Sequence, residues 1–76
     1  MVRAFIMVNA DGGNAEKLVG PISELEHVTE AHVVAGDFDV IAEVEAEEVA
    51  DVMGIAATDI RSVGGVADTK TYVCLE

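Results

Sequence analysis

Two short polar segments hold the residues of this chain that are suited to binding a small polar ligand. The first, Gly36-Asp37-Phe38-Asp39, combines a backbone position without a Cβ and two carboxylates at a reversal between apolar runs. The second, residues 65–71, places the hydroxyls of Thr69 and Thr71 on one side of a predicted strand. If the strands that carry them are neighbours, these groups converge on one ligand.

The small size of the chain limits how such a site can be built. Its 76 residues make a single domain spanning residues 1–76. A chain this short buries only about 60% of the surface that its unfolded form exposes, so the core is marginal. One cysteine, Cys74, rules out an internal disulfide, and the sequence contains no metal-ligand cluster or cofactor motif. We therefore expect a partner subunit to contribute to stability.

The charge balance excludes some classes of partner. The chain carries 15 Asp and Glu against 4 Lys and Arg, a formal net charge of −11. This disfavours direct binding to nucleic acid, which depends on Lys and Arg displacing counterions. Such acidity is typical of adaptation to high salt and indicates a halophile. No apolar run approaches the ~18 residues that span a membrane, and the first residues resemble a strand rather than a signal peptide, so we expect a cytoplasmic protein without membrane partners.

The apolar pattern predicts four strands and two helices. Alternating apolar residues indicate strands, and apolar residues at helical spacing indicate helices. The predicted elements are a strand over Val2–Asn9, a helix from Asn14, strands over Glu30–Ala35 and Phe38–Glu45, a helix from about Ala46 ended by Gly64-Gly65, and a strand over Val66–Leu75. This β-α-β-β-α-β order predicts an α+β domain with a four-stranded antiparallel sheet and two helices on one face.

The second face of this sheet is expected to contact another copy of the chain. Phe5, Met7 and Ile41 lie there beside charged and polar side chains, because residues of a strand alternate between the two faces. This surface is too apolar to be left wholly to water. A homo-oligomer is therefore predicted.

Other polar residues give weaker signals. His27 and His32 flank a predicted junction without a third metal ligand, which argues against a zinc site. Cys74 has no neighbouring base that would make it a nucleophile, and its residue type favours packing. Gly12-Gly13-Asn14 lacks the Gly-Lys-Ser/Thr of a phosphate-binding loop. We predict neither catalytic residues nor a metal or cofactor.

Over nearly its whole length the chain resembles the effector-binding domain of the Lrp/AsnC family of transcription regulators, often called the RAM domain. The resemblance is carried by residues 4–8, by Val28-Thr29-Glu30-Ala31, by the loop over residues 35–39 and by the ending over residues 65–71. Regulators of this family also carry an N-terminal helix-turn-helix, whereas the first predicted strand here begins at Val2. The sequence thus looks like a stand-alone RAM domain that does not itself bind DNA.

The resemblance implies a ferredoxin-like fold, dimers formed through the sheets, rings of dimers, and an amino acid effector bound between subunits near the Gly-x-x-Asp turn. It also implies action on transcription through full-length regulators as partners. The chemistry of the residues agrees in outline. Asp39 offers an anion for a ligand ammonium, and the Gly36-Asp37 backbone with Thr69 or Thr71 offers donors for a carboxylate.

Several alternatives remain open at the level of sequence. Gly36 and Asp37 can instead form a plain hairpin turn that Asp39 hydrogen-bonds, with the threonines as ordinary strand residues. The chain can also be a ligand-free assembly subunit, or a small dimeric enzyme of the same fold, for which His32 is the only serviceable base. An ACT domain, a related amino acid sensor, would bind its ligand at Gly12-Gly13-Asn14.

Overall fold

The order of helices and strands is β-α-β-β-α-β. A computed structural model describes residues 1–75, apart from the side chain of Ala57. The elements are β1 (Val2–Ala10), α1 (Ala15–Ser23), β2 (Val28–Val33), β3 (Val40–Ala46), α2 (Val49–Gly54) and β4 (Val66–Val73). A 3-10 turn, Asp11–Gly13, follows β1, and a π-helical segment, Ile55–Ile60, continues α2.

The four strands form one antiparallel sheet in the order β2-β3-β1-β4. Alternation along β1 buries Ala4, Ile6 and Val8 completely on one face and leaves Phe5 and Met7 partly exposed on the other. In β3, Val40, Ala42 and Val44 are buried in the same way. The predicted fold is therefore confirmed, and β2 and β4 are its two edge strands.

Both helices pack on the same face of the sheet. Leu18 and Ile22 of α1 lie one turn apart and are buried, as are Val52 of α2 and Ile60 at the end of the π-helical segment. They join the inward residues of β1 and β3 in one core cluster. Each fully buried side chain of this kind contributes about 1.5–3 kcal/mol relative to an exposed one. The core lies between the helices and the two central strands.

The connection between β2 and β3 is longer than predicted. β2 begins at Val28 rather than Glu30 and ends at Val33, while β3 begins at Val40 rather than Phe38. Six residues, 34–39, therefore replace the expected two-residue reversal at Gly36-Asp37. At the end of this connection, Asp39 is hydrogen-bonded to Val34 on the β2 side and to Val8 and Ala10 of β1.

The second helix also begins later than predicted. Ala46 is the last residue of β3, pairs with Val2 and is 1% exposed. Its burial in the sheet outweighs the helix preference of alanine, so the helix starts at Val49. The helical region ends at Ile60, four residues before Gly64, so the predicted glycine stop is wrong. The last strand ends at Val73, two residues before the predicted Leu75.

Gly65 does not end the helix but has a structural role at the start of β4. Its φ is 102°, a region that side chains strongly disfavour, and a Cβ built there would lie 3.0 Å from Leu18 Cδ2. Its carbonyl accepts a hydrogen bond from the Asp11 N–H at 2.7 Å. Gly65 thus fixes β4 against both the end of β1 and the core.

We expect Gly65→Ala to lower the free energy of unfolding by about 1–3 kcal/mol, because alanine is strained at positive φ. Urea unfolding measures the change. Gly64→Ala is the matched control, since Gly64 has no positive φ and a Cβ there meets no atom within 4 Å. Equal stabilities of the two variants would contradict the role assigned to Gly65.

Candidate functional site

Asp39 connects three strands at one end of the sheet. Its N–H donates to the Val8 carbonyl of β1 at 2.9 Å, and its carbonyl accepts from the Val34 N–H at 2.8 Å, next to the end of β2. Its carboxylate Oδ2 accepts from the Ala10 N–H at 2.8 Å. Asp39 itself immediately precedes β3. One residue therefore holds the ends of β1, β2 and β3 together.

The carboxylate of Asp39 replaces a missing strand partner. β3 starts at Val40, opposite Val8, so the last two residues of β1 extend beyond it. Without Asp39 the partly buried Ala10 N–H would have no acceptor on that side. Among residues 1–75, Ala10 is the only donor to this carboxylate, and it uses one oxygen. The carboxylate thus bonds the end of β1 and not the Gly36-Asp37 turn, and Oδ1 accepts no hydrogen bond from residues 1–75.

Gly36 and Asp37 lie exposed in the connection between β2 and β3. Gly36 does not have a positive φ, and a Cβ built on it meets no atom within 4 Å. Within the part of the chain that the structure describes, their N–H groups have no hydrogen-bond partner. Nothing in the fold of one chain requires glycine at position 36. These two unpaired donors lie in the same six-residue connection as Asp39.

Thr69 and Thr71 lie elsewhere in the single chain. In β4 they pair with Val8 and Ile6 of β1, so their side chains are on the helix-covered face and partly buried. β1 separates β4 from β3, and two strand spacings amount to about 10 Å. The condition that the two strands be neighbours is not met. One chain does not bring the threonines together with Gly36, Asp37 and Asp39.

The threonines face a different set of groups. A shallow cavity of about 350 Å³ between the π-helical segment and β4 is lined by Met53, Ala56, Arg61, Thr69, Lys70 and Thr71. Sequence reasoning missed Arg61 here. A usable signal was present: the chain has only 4 Lys and Arg, and Arg61 directly follows the apolar stripe of the second helix.

The remaining polar residues among positions 1–75 include His27 and His32. His32 Nε2 lies 3.0 Å from Glu30 Oε1 and His27 Nε2 lies 4.0 Å from Glu26 Oε1, both near the surface. Among residues 1–75, no group of three or more His, Cys, Asp or Glu side chains could hold a metal ion. In the same range the structure contains no helix with the length and apolar character needed to cross a membrane.

Comparison with known proteins adds a consistent set of relatives. The sequence model of the Lrp/AsnC ligand binding domain matches residues 3–76. The leucine-responsive regulatory protein of Haemophilus influenzae is 34% identical over 61 residues, which are 80% of this chain and 37% of that protein. The chain thus corresponds to a little over a third of this relative, which is a regulator rather than an enzyme.

Solved structures agree on the fold. A protein of Thermus thermophilus superposes with a TM-score of 0.91 at 29% identity, covering 100% of this chain and 95% of that one. A transcriptional regulator of Neisseria meningitidis, solved as a complex with L-Met, gives a TM-score of 0.85 at 17% identity. That superposition covers 99% of this chain and 50% of the regulator. At 17% identity the likeness concerns the fold alone.

The Asp39–Ala10 hydrogen bond generates a stability prediction. Asp39→Ala leaves the Ala10 N–H without its acceptor and should lower the free energy of unfolding by about 1–3 kcal/mol. Asp39→Asn keeps a side-chain carbonyl that can accept the same bond, so its loss should be below about 1 kcal/mol. Chemical denaturation distinguishes the two variants. If both are as stable as the unmodified chain, this bond does not hold the end of β1.

Proposed function

We infer the function of this chain from the premise that it belongs to the Lrp/AsnC family of ligand-binding domains. We propose that it senses an amino acid and that the effector binds at the loop over residues 35–39. The observation that carries this proposal is the set of unpaired groups in one loop: Asp39 uses Oδ2 to accept from the Ala10 N–H, while Oδ1 and the N–H groups of Gly36 and Asp37 have no partner among residues 1–75.

The chemistry of an amino acid matches the two kinds of group in this loop. Its ammonium donates to Asp39 Oδ1, a charge-assisted hydrogen bond. Its carboxylate accepts from the N–H groups of Gly36 and Asp37, which are unpaired within residues 1–75. The absence of a Cβ at Gly36 allows the ligand to approach the backbone closely. Thr69 and Thr71 then contribute hydroxyls from a second copy, because β1 keeps them away from the loop of their own chain.

A structural relative supports an amino acid as the class of ligand. The Neisseria meningitidis regulator, which shares the fold, was solved with L-Met. At 17% identity its ligand contacts do not transfer residue by residue, so the support concerns the class of effector. The side chains that would select one amino acid over another are contributed across subunits in this proposal.

We further propose that two copies associate through the sheet face that the helices leave open. Phe5 and Met7 of β1 and Ile41 of β3 are partly exposed there, and Tyr72 of β4 is 48% exposed. Arg3 stands at one side of this patch, with its guanidinium 3.4 Å from Glu43 and 3.8 Å from Glu45. An apolar centre beside an organised polar border is typical of a protein–protein interface.

The wider role follows from the relatives. We propose that the assembled chain acts on transcription together with full-length regulators of its family, within the cytoplasm where those regulators work. The second candidate is a ligand-free assembly subunit. The hydrogen bond between Asp39 Oδ2 and the Ala10 N–H favours this candidate, because it gives Asp39 a structural role that needs no ligand. The two candidates differ in one measurable property: the sensor binds an amino acid and the assembly subunit does not.

A thermal-shift screen of the twenty amino acids should identify a ligand that raises the melting temperature, because a ligand bound to the native state stabilises it by RT ln(1 + [L]/Kd). Asp39→Asn should then weaken that ligand about tenfold to hundredfold in calorimetric titration, since it removes a charge-assisted bond and keeps the shape. Unchanged affinity would remove Asp39 from the site. If no amino acid shifts the melting temperature, the assembly subunit is the better description.

Gly36→Ala provides a second variant for the same titration. In the free chain its Cβ points into open space, so the melting temperature without ligand should not fall. The ligand, which approaches this backbone, should bind more weakly. Gly20→Ala in α1 is the matched control, because a Cβ there also meets no atom within 4 Å.

Light scattering tests the assembly separately. The unmodified chain should be a dimer or larger at micromolar concentration in high salt. The double variant Phe5→Gln with Ile41→Gln removes apolar contact area from the open face and should shift the population to folded monomers. Val33→Gln is the control, since Val33 is 47% exposed but lies on the other face of an edge strand. A folded monomer without any substitution would refute the proposal.

A further inference from the structure

The outer edge of β4 presents unpaired backbone groups. The Cys74 N–H donates to the Arg3 carbonyl at 2.8 Å, and Val73 is the residue opposite Ala4. Residues of an antiparallel strand direct their backbone groups alternately toward and away from the neighbouring strand. Val73 and Thr71 therefore direct their N–H and C=O groups away from β1, where the described part of the chain has no further strand.

The structure itself shows this alternation at Thr69. Its N–H has the same outward direction and is bonded to the carboxylate of Asp68 at 2.9 Å. Asp68 thereby closes one end of the edge. The edge is open from Thr71 to Val73, where the unpaired backbone groups can hydrogen-bond a further strand.

A groove follows this open edge. Its first part is the cavity of about 350 Å³ that contains Arg61, Thr69 and Thr71. Its second part, also about 350 Å³, lies beside Val73 and is lined by Met1, Val2, Arg3, Val49, Val73, Cys74 and Leu75. Val49 and Met53, one helical turn apart on α2, form the helical wall, and each is 50% exposed. A groove between a helix and an edge strand accommodates an extended peptide.

The lining of this groove differs in charge from the rest of the chain. Neither cavity is lined by an Asp or Glu, although the chain has 15 of them. Arg61, one of the four Lys and Arg residues, lines the first cavity. Lys70 lines it from β4 but pairs with Met7, so its side chain is on the open sheet face, where Nζ lies 5.9 Å from the centre of the Tyr72 ring. The guanidinium of Arg3 is turned to the open sheet face, where it pairs with Glu43 and Glu45, and does not add to this charge.

We propose that the β4 edge binds an extended acidic segment of a partner protein, which adds to the sheet as a fifth strand. Its backbone pairs with Thr71 and Val73. Apolar side chains on its helix-facing side contact Met53 and Val49, and a carboxylate on the same side lies near Arg61. This site is separate from the effector loop over residues 35–39, which lies beyond β1 at the start of β3.

The net charge of −11 does not prevent such binding. At about 0.15 M salt, screening acts over about 8 Å, so distant carboxylates count for little against Arg61 in the groove. The unpaired backbone groups supply affinity that does not depend on sequence, while Arg61 and the lack of acidic lining residues favour an acidic segment over a basic one. A segment alternating apolar and acidic residues fits both requirements.

An NMR titration of the isotopically labelled chain with the acetylated peptide Glu-Val-Glu-Val-Glu-Val tests the proposal at about 0.15 M salt, where distant charges are screened. The amides of Thr71 and Val73 should shift and become protected from hydrogen exchange. Arg61→Glu should weaken binding about fivefold, since it reverses one partly screened charge. Lys17→Glu, the same charge change on α1, is the control and should have no more than about a twofold effect.

Two further variants separate this site from the effector site. Val73→Pro removes an outward N–H of the open edge without touching the bonds to β1, an arrangement that edge strands tolerate, and should abolish peptide binding. Val73 is chosen because Thr71 is also a proposed contact of the effector. Asp39→Asn should leave peptide binding unchanged, whatever it does to an amino acid effector. Backbone signals of β1 confirm that each variant is folded.

Other outcomes would overturn the proposal. They include equal binding of a peptide with Lys in place of Glu, shifts confined to residues outside β4 and α2, and equal effects of Arg61→Glu and Lys17→Glu. Protection of Thr71 and Val73 that grows with protein concentration in the absence of peptide would assign the edge to a second copy instead.

Discussion

The 2.8 Å hydrogen bond from the Ala10 N–H to the Asp39 carboxylate fixes the end of the sheet on which the rest of the structure depends. β1 is a central strand, paired with β3 on one side and β4 on the other. Ala10 extends past the start of β3, and Asp39 supplies the acceptor that β3 lacks there. On the β4 side, the Gly65 carbonyl accepts from the Asp11 N–H. The end of β1 is thus hydrogen-bonded on both sides, to the Asp39 carboxylate and to the Gly65 carbonyl.

The sheet that is held in this way has two unlike faces. The helix-covered face is filled by small and medium apolar side chains, with Ala4, Ile6 and Val8 fully buried. The other face carries larger apolar groups, Phe5 and Met7, which no element of the described chain covers. Because alternation assigns each residue of a strand to one face, the buried face cannot change register without exposing its apolar residues. The open face is thereby fixed as well, and it is available to a partner.

Sequence patterns predicted the elements and faces well because alternation is a local property. Val40, Ala42 and Val44 alternate with Ile41, Glu43 and Glu45, and the structure buries the first set. The patterns failed where secondary structure is decided by pairing between residues that are far apart in the sequence. Ala46 became a strand residue because Val2 lies opposite it. The candidate site shows the same division: residue types single out the loop over residues 35–39 as a candidate, but they do not predict the partner of Asp39, since Ala10 is 29 positions away. Strand order, which places Thr69 and Thr71 apart from the loop, is set by how the crossover helices pack, and no short segment encodes it.

The position of Asp39 gives a physical route from ligand to assembly. A ligand ammonium on Oδ1 and the Ala10 N–H on Oδ2 do not compete, because a carboxylate has acceptor sites on both oxygens. Binding at the proposed effector site would therefore stabilise the arrangement in which Asp39 joins β1, β2 and β3, by a free energy that depends on ligand concentration. The same strand, β1, carries Phe5 and Met7 on the open face. A ligand that restrains the end of β1 thus acts on the strand at the centre of the proposed subunit contact, which is the coupling that a sensing domain requires.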